Sequence, residues 1–306
     1  MSIQQKYTHM KKWISAARLR TLPLSLAGII LAGFLAAERR QFETVIFILS
    51  VLTAVLFQVL SNFANDYGDG VKGTDNEARI GPIRALQSGD IIPKQMKKAI
   101  QITALLSFVS AIALVVYAFG LDKFWSIIFY LVLGLLAIVA AIKYTVGKSA
   151  YGYYGMGDLF VLLFFGLVAV IGGAYLYTKQ LDFTLIYPAL SVGLLSVAVL
   201  NLNNMRDIES DKKSNKNTIP VKLGLENAKK YHILLIVLPF FFSQAYIFHH
   251  LHGYLQWLFV LPYIVLMMHL MRVINIYHPK HFDPELKKVA ILTFAYAIFF
   301  GLGMIL

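Results

Sequence analysis

The sequence predicts an all-α integral membrane protein, one domain of nine transmembrane helices over residues 1–306. Three observations carry that expectation. Hydrophobic residues make up 58% of the chain and charged residues only 14%, against about 45–50% and about 25% in a soluble domain. The missing charges are what a chain gives up when its surface faces lipid. Nine separate runs are apolar over about the 20 residues that a bilayer-crossing helix requires. The basic residues, finally, fall almost wholly on alternate loops. A net charge of +12 taken alone fits a nucleic-acid partner, but the chain carries no nucleic-acid-binding module. The absence of cysteine excludes disulfides, thiolate zinc sites and thiol catalysis.

The first run, Ser15–Ala37, carries Arg18, Arg20 and Pro23. It lacks a short apolar core followed by a small-residue cleavage site, and more spans follow, so it reads as a retained span rather than a signal sequence. The second, Phe42–Asn65, runs into a stretch of Asn and Asp. The third, Lys98–Phe119, and the fourth, Phe124–Ile142, are joined by a tight connection containing Asp122 and Lys123. A loop rich in Gly and Tyr leads into the fifth, Asp158–Tyr177, and the sixth, Phe183–Asn204, ends in a second Asn/Asp stretch. The seventh, Tyr231–Phe248, and eighth, Tyr254–Arg272, flank a short loop containing His249, His250 and His252, which reads as a polar loop rather than a metal cluster. A polar connection, Asn275 to Pro284, precedes the ninth, Lys288–Leu306.

Twenty-four of the 28 Lys and Arg residues lie on the side that holds the N-terminus, leaving Arg39, Arg40, Lys123 and Lys179 opposite. The positive-inside rule therefore predicts a cytoplasmic N-terminus and an external C-terminus. Twelve of the 16 acids also lie on that basic side. Carboxylates contribute little to orientation, so their gathering there points to a task.

Two segments concentrate them. One is 62–75, where the second span leaves the membrane, and the other is 203–211, where the sixth leaves on the same side. Asn62 and Asp66, Asn65 and Asp69, Asn203 and Asp207, and Asp207 and Asp211 are all i, i+4 neighbours, and Asn204 stands three before Asp207. Each segment thus puts a stripe of oxygen ligands on one helix face. A solvated helix end accounts for two matching stretches less well than for one, and ionisable groups at membrane depth are functional candidates. Carboxylate and amide oxygens without His or Cys favour a hard cation, Mg²⁺ above all. Lys72, Arg84 and Arg206 would complete an anion clamp. The combination points to a phosphorylated, membrane-soluble substrate.

Asn65-Asp66-x-x-Asp69 followed by Asp207-x-x-x-Asp211 resembles the paired aspartate-rich motifs of the UbiA-type intramembrane prenyltransferases. Asn65 to Asp75, Arg79 to Arg84, Tyr144 to Gly147, Tyr151 to Tyr153, Gly155 to Asp158 and Asn203 to Asp211 narrow the likeness to the branch that acts on 1,4-dihydroxy-2-naphthoate in menaquinone biosynthesis. Gly73 departs from the wider superfamily pattern, in which a further Asp is often found there, and leaves a metal role for Asp75 in doubt. The resemblance implies a nine-span enzyme of the bacterial cytoplasmic membrane. It implies a metal held by Asn65, Asp69, Asp207 and Asp211, and catalysis centred on Asp66, Asp69, Asp207 and Asp211. Its reaction would move a polyprenyl group from an allylic diphosphate to the naphthoate with loss of CO₂ and diphosphate, giving demethylmenaquinone. Lipid-facing walls would exclude the water that quenches an allylic cation.

Asn203 and Asn204 join the substrate-binding candidates. Tyr153 and Asp158, with Tyr151 and Tyr154, read either as substrate ligands or as a glycine-rich interfacial turn. Arg20, with Arg18, reads either as a partner for the naphthoate carboxylate or as a membrane anchor. Lys143 reads equally as a phosphate ligand or a snorkelling helix end. A sibling enzyme with another acceptor, such as 4-hydroxybenzoate, is the alternative within the class. A secondary transporter is the alternative outside it, but here the acids cluster at helix ends instead of the bilayer midplane.

The charge asymmetry makes a direct prediction. Single cysteines placed at Asp122 and at Lys213 are expected to label from opposite faces, with an impermeant reagent on intact cells reaching position 122 only. Equal labelling at both would refute the orientation.

Overall fold

The computed structural model of the chain describes residues 3–74, 80–251 and 253–306. Asp75 and Arg79 of the first motif region, and His252, lie outside the described residues. Among those described are nine helices long and apolar enough to cross a membrane, and no strand. The nine are Met10–Glu38, Thr44–Val71, Pro93–Phe119, Phe124–Lys143, Gly157–Thr178, Phe183–Arg206, Leu225–His249, Tyr254–Ile274 and Pro279–Ile305.

The helices overrun the apolar runs on the motif-bearing side. The second continues to Val71, the third begins at Pro93, the seventh at Leu225 and the ninth at Pro279. A hydropathy run stops where lipid stops, whereas the hydrogen-bond ladder continues until something caps it. Asp66 and Asp69 are therefore helical residues. The Asn/Asp stretch supplies the final turns of the second span.

One device ends both motif helices. Beyond Val71, the Thr74 N–H bonds the Asp69 carbonyl at 3.0 Å and the Gly73 N–H bonds Gly70 at 3.2 Å. Gly73 stands at φ +73°, where a side chain would be strained. These paired bonds form a Schellman cap, and they give a backbone reason for glycine where the superfamily pattern has Asp. After Arg206 a short helix, Ile208–Lys213, carries the second motif onward. There the Lys216 N–H bonds the Asp211 carbonyl at 2.8 Å and the Asn215 N–H bonds Lys212 at 3.2 Å. Asn215, at φ +55°, takes the place of Gly73, as asparagine tolerates that region.

The sixth span is the hub, its apolar window 61% buried against 6% for the fourth. It packs on the fifth, seventh and ninth, while the second packs on the third and fourth. The first span links the two groups through the second, fifth and ninth. Leu31, Leu35, Leu195, Leu202, Ile236, Leu266 and Phe300 anchor the larger core, and Leu60, Phe63, Met96 and Ile100 anchor a smaller one beneath the first motif. The second and sixth spans do not pack extensively side by side. Their polar ends are brought together by the connecting loops.

The first span breaks where the sequence carries its arginines. The helix stops at Ala17, Arg18 turns left-handed at φ 50°, and a new helix starts at Leu22 with Pro23 in its first turn, where its missing N–H is harmless. Asn62 holds the break by donating to the Ala17 carbonyl at 2.8 Å and to Thr21 Oγ1 at 3.1 Å. The Asn62–Asp66 stripe is thus spent on packing at its first member.

A second buried polar chain braces the ninth span. His232 and His269 meet through their Nε2 atoms at 2.8 Å, and His269 Nδ1 lies 2.6 Å from Glu285. Glu285 and Asp283 share the first turn of the ninth helix, so the brace also sets where Asp283 stands.

Gly68 marks the closest approach of the second span to the chain beyond the fourth. A Cβ there would lie 2.4 Å from Thr145 Oγ1 and 2.7 Å from the Thr145 carbonyl carbon. Gly68→Ala is expected to destabilise the detergent-solubilised protein by about 1–3 kcal/mol, read as a lowered melting temperature. An unchanged melting temperature would show that this crossing can open.

Candidate active site

The two motifs meet in a small polar cavity of about 20 Å³, enough for one water- or ion-sized occupant. Asp69 and Thr74 of the first motif region line it with Arg84 from the loop beyond, opposite Asn203, Asp207, Ser210 and Asp211 of the second and Lys216 from the turn after it. Three carboxylates thus share one enclosed space at the edge of an apolar bundle.

Each is held differently. Asp69 accepts a hydrogen bond from the Tyr153 hydroxyl at 2.9 Å. With its proton committed to Asp69, Tyr153 accepts from Thr74 Oγ1 at 2.6 Å. Tyr153 stands on the short turn Tyr151–Tyr154. That turn is pinned by Tyr151 donating to the Ala140 carbonyl at 2.9 Å and by the Asn217 N–H bonding the Tyr153 carbonyl at 2.9 Å. The loop before the fifth span therefore joins the first motif to the loop after the second. Burial, with the charge of Asp69, raises the Tyr153 phenol well above its ordinary value. Tyr153 remains protonated and a hydrogen-bond donor.

Asp207 is held by Arg206. The guanidinium donates from Nε to Oδ1 at 2.9 Å and from Nη2 to Oδ2 at 2.7 Å. It also bonds Asn203 Oδ1 at 2.8 Å and pairs with Asp283 of the ninth span. Asp211 lies beside Lys216, whose Nζ is 3.6 Å from its Oδ1 and 3.8 Å from Asp69 Oδ2. Burial pushes the Asp211 carboxyl up to about 6, with Lys216 pulling against that shift. For Lys216, burial opposes the charge, but Asp69 and Asp211 outweigh it and hold the ammonium above the ordinary lysine value.

Asp69, Asp207, Asp211, Arg84 and Asn203 therefore come together at one cavity. Arg206 does not stand as the expected clamp. It is 2% exposed, absent from the cavity wall, and its fork is engaged by Asp207, Asn203 and Asp283. Neither Asn65 nor Asp66 lines the cavity: Asn65 Oδ1 faces the Thr145 hydroxyl at 3.4 Å, and Asp66 is buried on the helix at 1% exposure. Asn204 is buried with no hydrogen-bond partner on its Oδ1. Asp158 accepts from the Tyr231 hydroxyl at 2.9 Å, away from the cavity. Lys72 rests 3.9 Å over the Tyr153 ring, and Arg20 lies exposed at the break of the first span.

Thr74, Ser210 and Lys216 escape the motif reading. Thr74 and Lys216 occupy equivalent positions, each five residues after the aspartate whose carbonyl its N–H caps. That spacing is visible in the sequence, but its meaning depends on the Schellman turn. Among the described residues no three carboxylate or imidazole groups converge closely enough to hold a metal ion by themselves. Mg²⁺ needs no such cage, because it commonly takes one or two carboxylates and completes its shell with substrate phosphates. An all-oxygen donor set, including the buried Asp211 Oδ2 with no hydrogen-bond partner, fits that mode.

Comparison with known proteins agrees with the fold. Residues 26–300 match the UbiA prenyltransferase family, and the chain belongs to that family. It is 40% identical over 303 residues to a 1,4-dihydroxy-2-naphthoate octaprenyltransferase of Escherichia coli, covering 99% of this chain and 98% of that protein. It is 41% identical over 299 residues to the protein of the same name from Haemophilus influenzae, covering 97% and 96%. Among solved structures, a UbiA homolog from Archaeoglobus fulgidus bound to DMAPP and Mg²⁺ aligns with a TM-score of 0.64 at 15% identity, covering 96% of this chain and 99% of that one. At that identity the likeness is one of fold.

The Arg206 geometry makes a stability prediction. Arg206→Ala leaves Asp207 as a buried charge without its partner and is expected to cost about 3–5 kcal/mol, read by thermal unfolding in detergent. Asp283→Ala removes a carboxylate with 42% side-chain exposure and is expected to cost no more than about 1 kcal/mol. An Arg206→Ala protein that melts like wild type yet is inactive would instead put Arg206 on the substrate.

Proposed function

We propose that this UbiA-family chain transfers a polyprenyl group from an allylic prenyl diphosphate to 1,4-dihydroxy-2-naphthoate, releasing diphosphate and CO₂ and giving the prenylated naphthohydroquinone, the reduced form of demethylmenaquinone. The observation that carries this reading is the end-to-end likeness to naphthoate octaprenyltransferases. The cavity where both aspartate motifs meet provides the chemistry. On the charge asymmetry, that cavity faces the cytoplasm.

One or two of Asp69, Asp207 and Asp211 would hold Mg²⁺, with the diphosphate supplying further oxygens. When bound, the metal supplies Lewis-acid charge against the leaving diphosphate. Arg84 reaches the same cavity and presents a guanidinium fork suited to two diphosphate oxygens. Tyr153 fixes the rotamer of Asp69, and Arg206 fixes that of Asp207, so the carboxylates that would hold the cation need not reorganise when the diphosphate leaves. The allylic C–O bond breaks with its electron pair leaving on the diphosphate. A ring carbon of the naphthoate takes up the prenyl group, and the bond to the carboxylate breaks to release CO₂. In net balance the prenyl group replaces the carboxylate, so the reaction consumes no external base. The apolar spans hold the tail and exclude water from the allylic cation.

Purified protein given prenyl diphosphate, Mg²⁺ and 1,4-dihydroxy-2-naphthoate is expected to yield the prenylated, decarboxylated product by mass spectrometry, with 4-hydroxybenzoate unreacted. EDTA is expected to stop the reaction and added Mg²⁺ to restore it. Asp69→Ala and Asp207→Ala are each expected to lower kcat by at least about a hundredfold, the loss typical of removing transition-state charge stabilisation. Turnover that persists through EDTA would remove the metal from the mechanism, and prenylated 4-hydroxybenzoate would change the acceptor.

A further inference from the structure

Lys216 belongs to neither aspartate motif, yet its ammonium lies between them, 3.8 Å from Asp69 Oδ2 and 3.6 Å from Asp211 Oδ1. The residue is 7% exposed. The third carboxylate of the cavity, Asp207, already has its own cation in the Arg206 fork. The lysine therefore answers to the two carboxylates that come from different helices. Its contacts are longer than the roughly 2.7–2.9 Å of a charge-assisted hydrogen bond. The ammonium is held by charge at the end of a flexible stem rather than locked by directional bonds. Its main chain, by contrast, is fixed through the 2.8 Å bond to the Asp211 carbonyl. The head group can turn within the cavity while its root stays in place.

We propose that Lys216 is the resident counter-ion of the metal face: it neutralises Asp69 and Asp211 across the two motifs in the metal-free protein, and a divalent cation must displace it from those carboxylates in order to bind. The inference rests on reading the cavity as a divalent-cation site. It makes Lys216 a positioning residue with two consequences. Before metal binds, the ammonium keeps the buried carboxylates from confronting one another, so the two motifs stay together without metal. Bare divalent cations bind weakly, because they compete with a tethered ammonium. The diphosphate supplies oxygens both to the metal and to the displaced ammonium, so donor and metal load together.

The test reads metal binding rather than turnover. Mn²⁺ is titrated into the purified full-length chain in detergent with no diphosphate present, and the free ion is followed by electron paramagnetic resonance. Removing a positive charge this close to the site is expected to tighten Mn²⁺ binding by at least about tenfold in Lys216→Met relative to wild type. Lys216→Arg is expected to bind no more tightly than wild type. Should Lys216→Met fail to survive extraction, Lys216→Gln removes the same charge and keeps a polar head for the same comparison. A neutral variant that binds Mn²⁺ with wild-type affinity, or more weakly, overturns the counter-ion role while leaving the metal site standing. If neither wild type nor the neutral variants take up Mn²⁺ at millimolar concentration, the metal reading falls, and the inference falls with it.

Discussion

Three carboxylates packed into one small cavity at the end of an apolar bundle repel one another unless each has a cation within reach. That electrostatic constraint shapes the motif-bearing end of the molecule. Arg206 answers Asp207 with a two-point fork, and Lys216 answers Asp69 and Asp211 together. Without these cations the motifs would repel across the gap, because the second and sixth spans contribute little packing to each other. The cations are therefore part of what closes the site as well as part of its charge balance.

The supporting structure follows from where those cations must stand. Arg206 is placed by the sixth span, the most enclosed helix of the bundle, and it is steadied by Asp283 at the start of the ninth. The His232–His269–Glu285 chain fixes that start from within the membrane-spanning region. Lys216 is placed by a Schellman cap whose twin sets Thr74 on the opposite wall. A break in the first span, sealed by Asn62, and the close approach of Gly68 to Thr145 seat the end of the second span. Tyr153 then joins the halves, with its hydroxyl on Asp69 and its carbonyl on the Asn217 N–H. None of these contacts is itself catalytic. Each removes a degree of freedom from a carboxylate that has to meet a leaving diphosphate.

The division of labour among the basic residues separates topology from chemistry. Most of the 24 on the motif-bearing side lie on exposed helix ends and loops, as Lys212 and Lys213 do. Arg206 and Lys216 are buried, where a charge placed only for membrane orientation gains nothing. Arg206 sits in the second motif region and Lys216 in the turn that follows it. The first contributes Arg84 from the loop that follows it.

The nine apolar spans, the all-helical membrane architecture and the pairing of two acidic helix ends are determined by the sequence alone. Runs of some 20 apolar residues admit few other structures in lipid, and i, i+4 spacing fixes which oxygens share a helix face. Asp69, Asp207 and Asp211 were legible for that reason. Helix ends were not, since capping depends on backbone bonds that hydropathy does not register: the second span runs on to Val71, and Gly73 serves as a cap. Nor could local spacing tell Asp69 from Asp66, or assign Arg206 to Asp207 and Lys216 to Asp69. Those choices turn on Asp283 and Tyr153, which approach from another helix and from a loop. A charge's partner is decided by what stands within a few ångströms of it, and here the deciding groups lie up to 84 residues away along the chain.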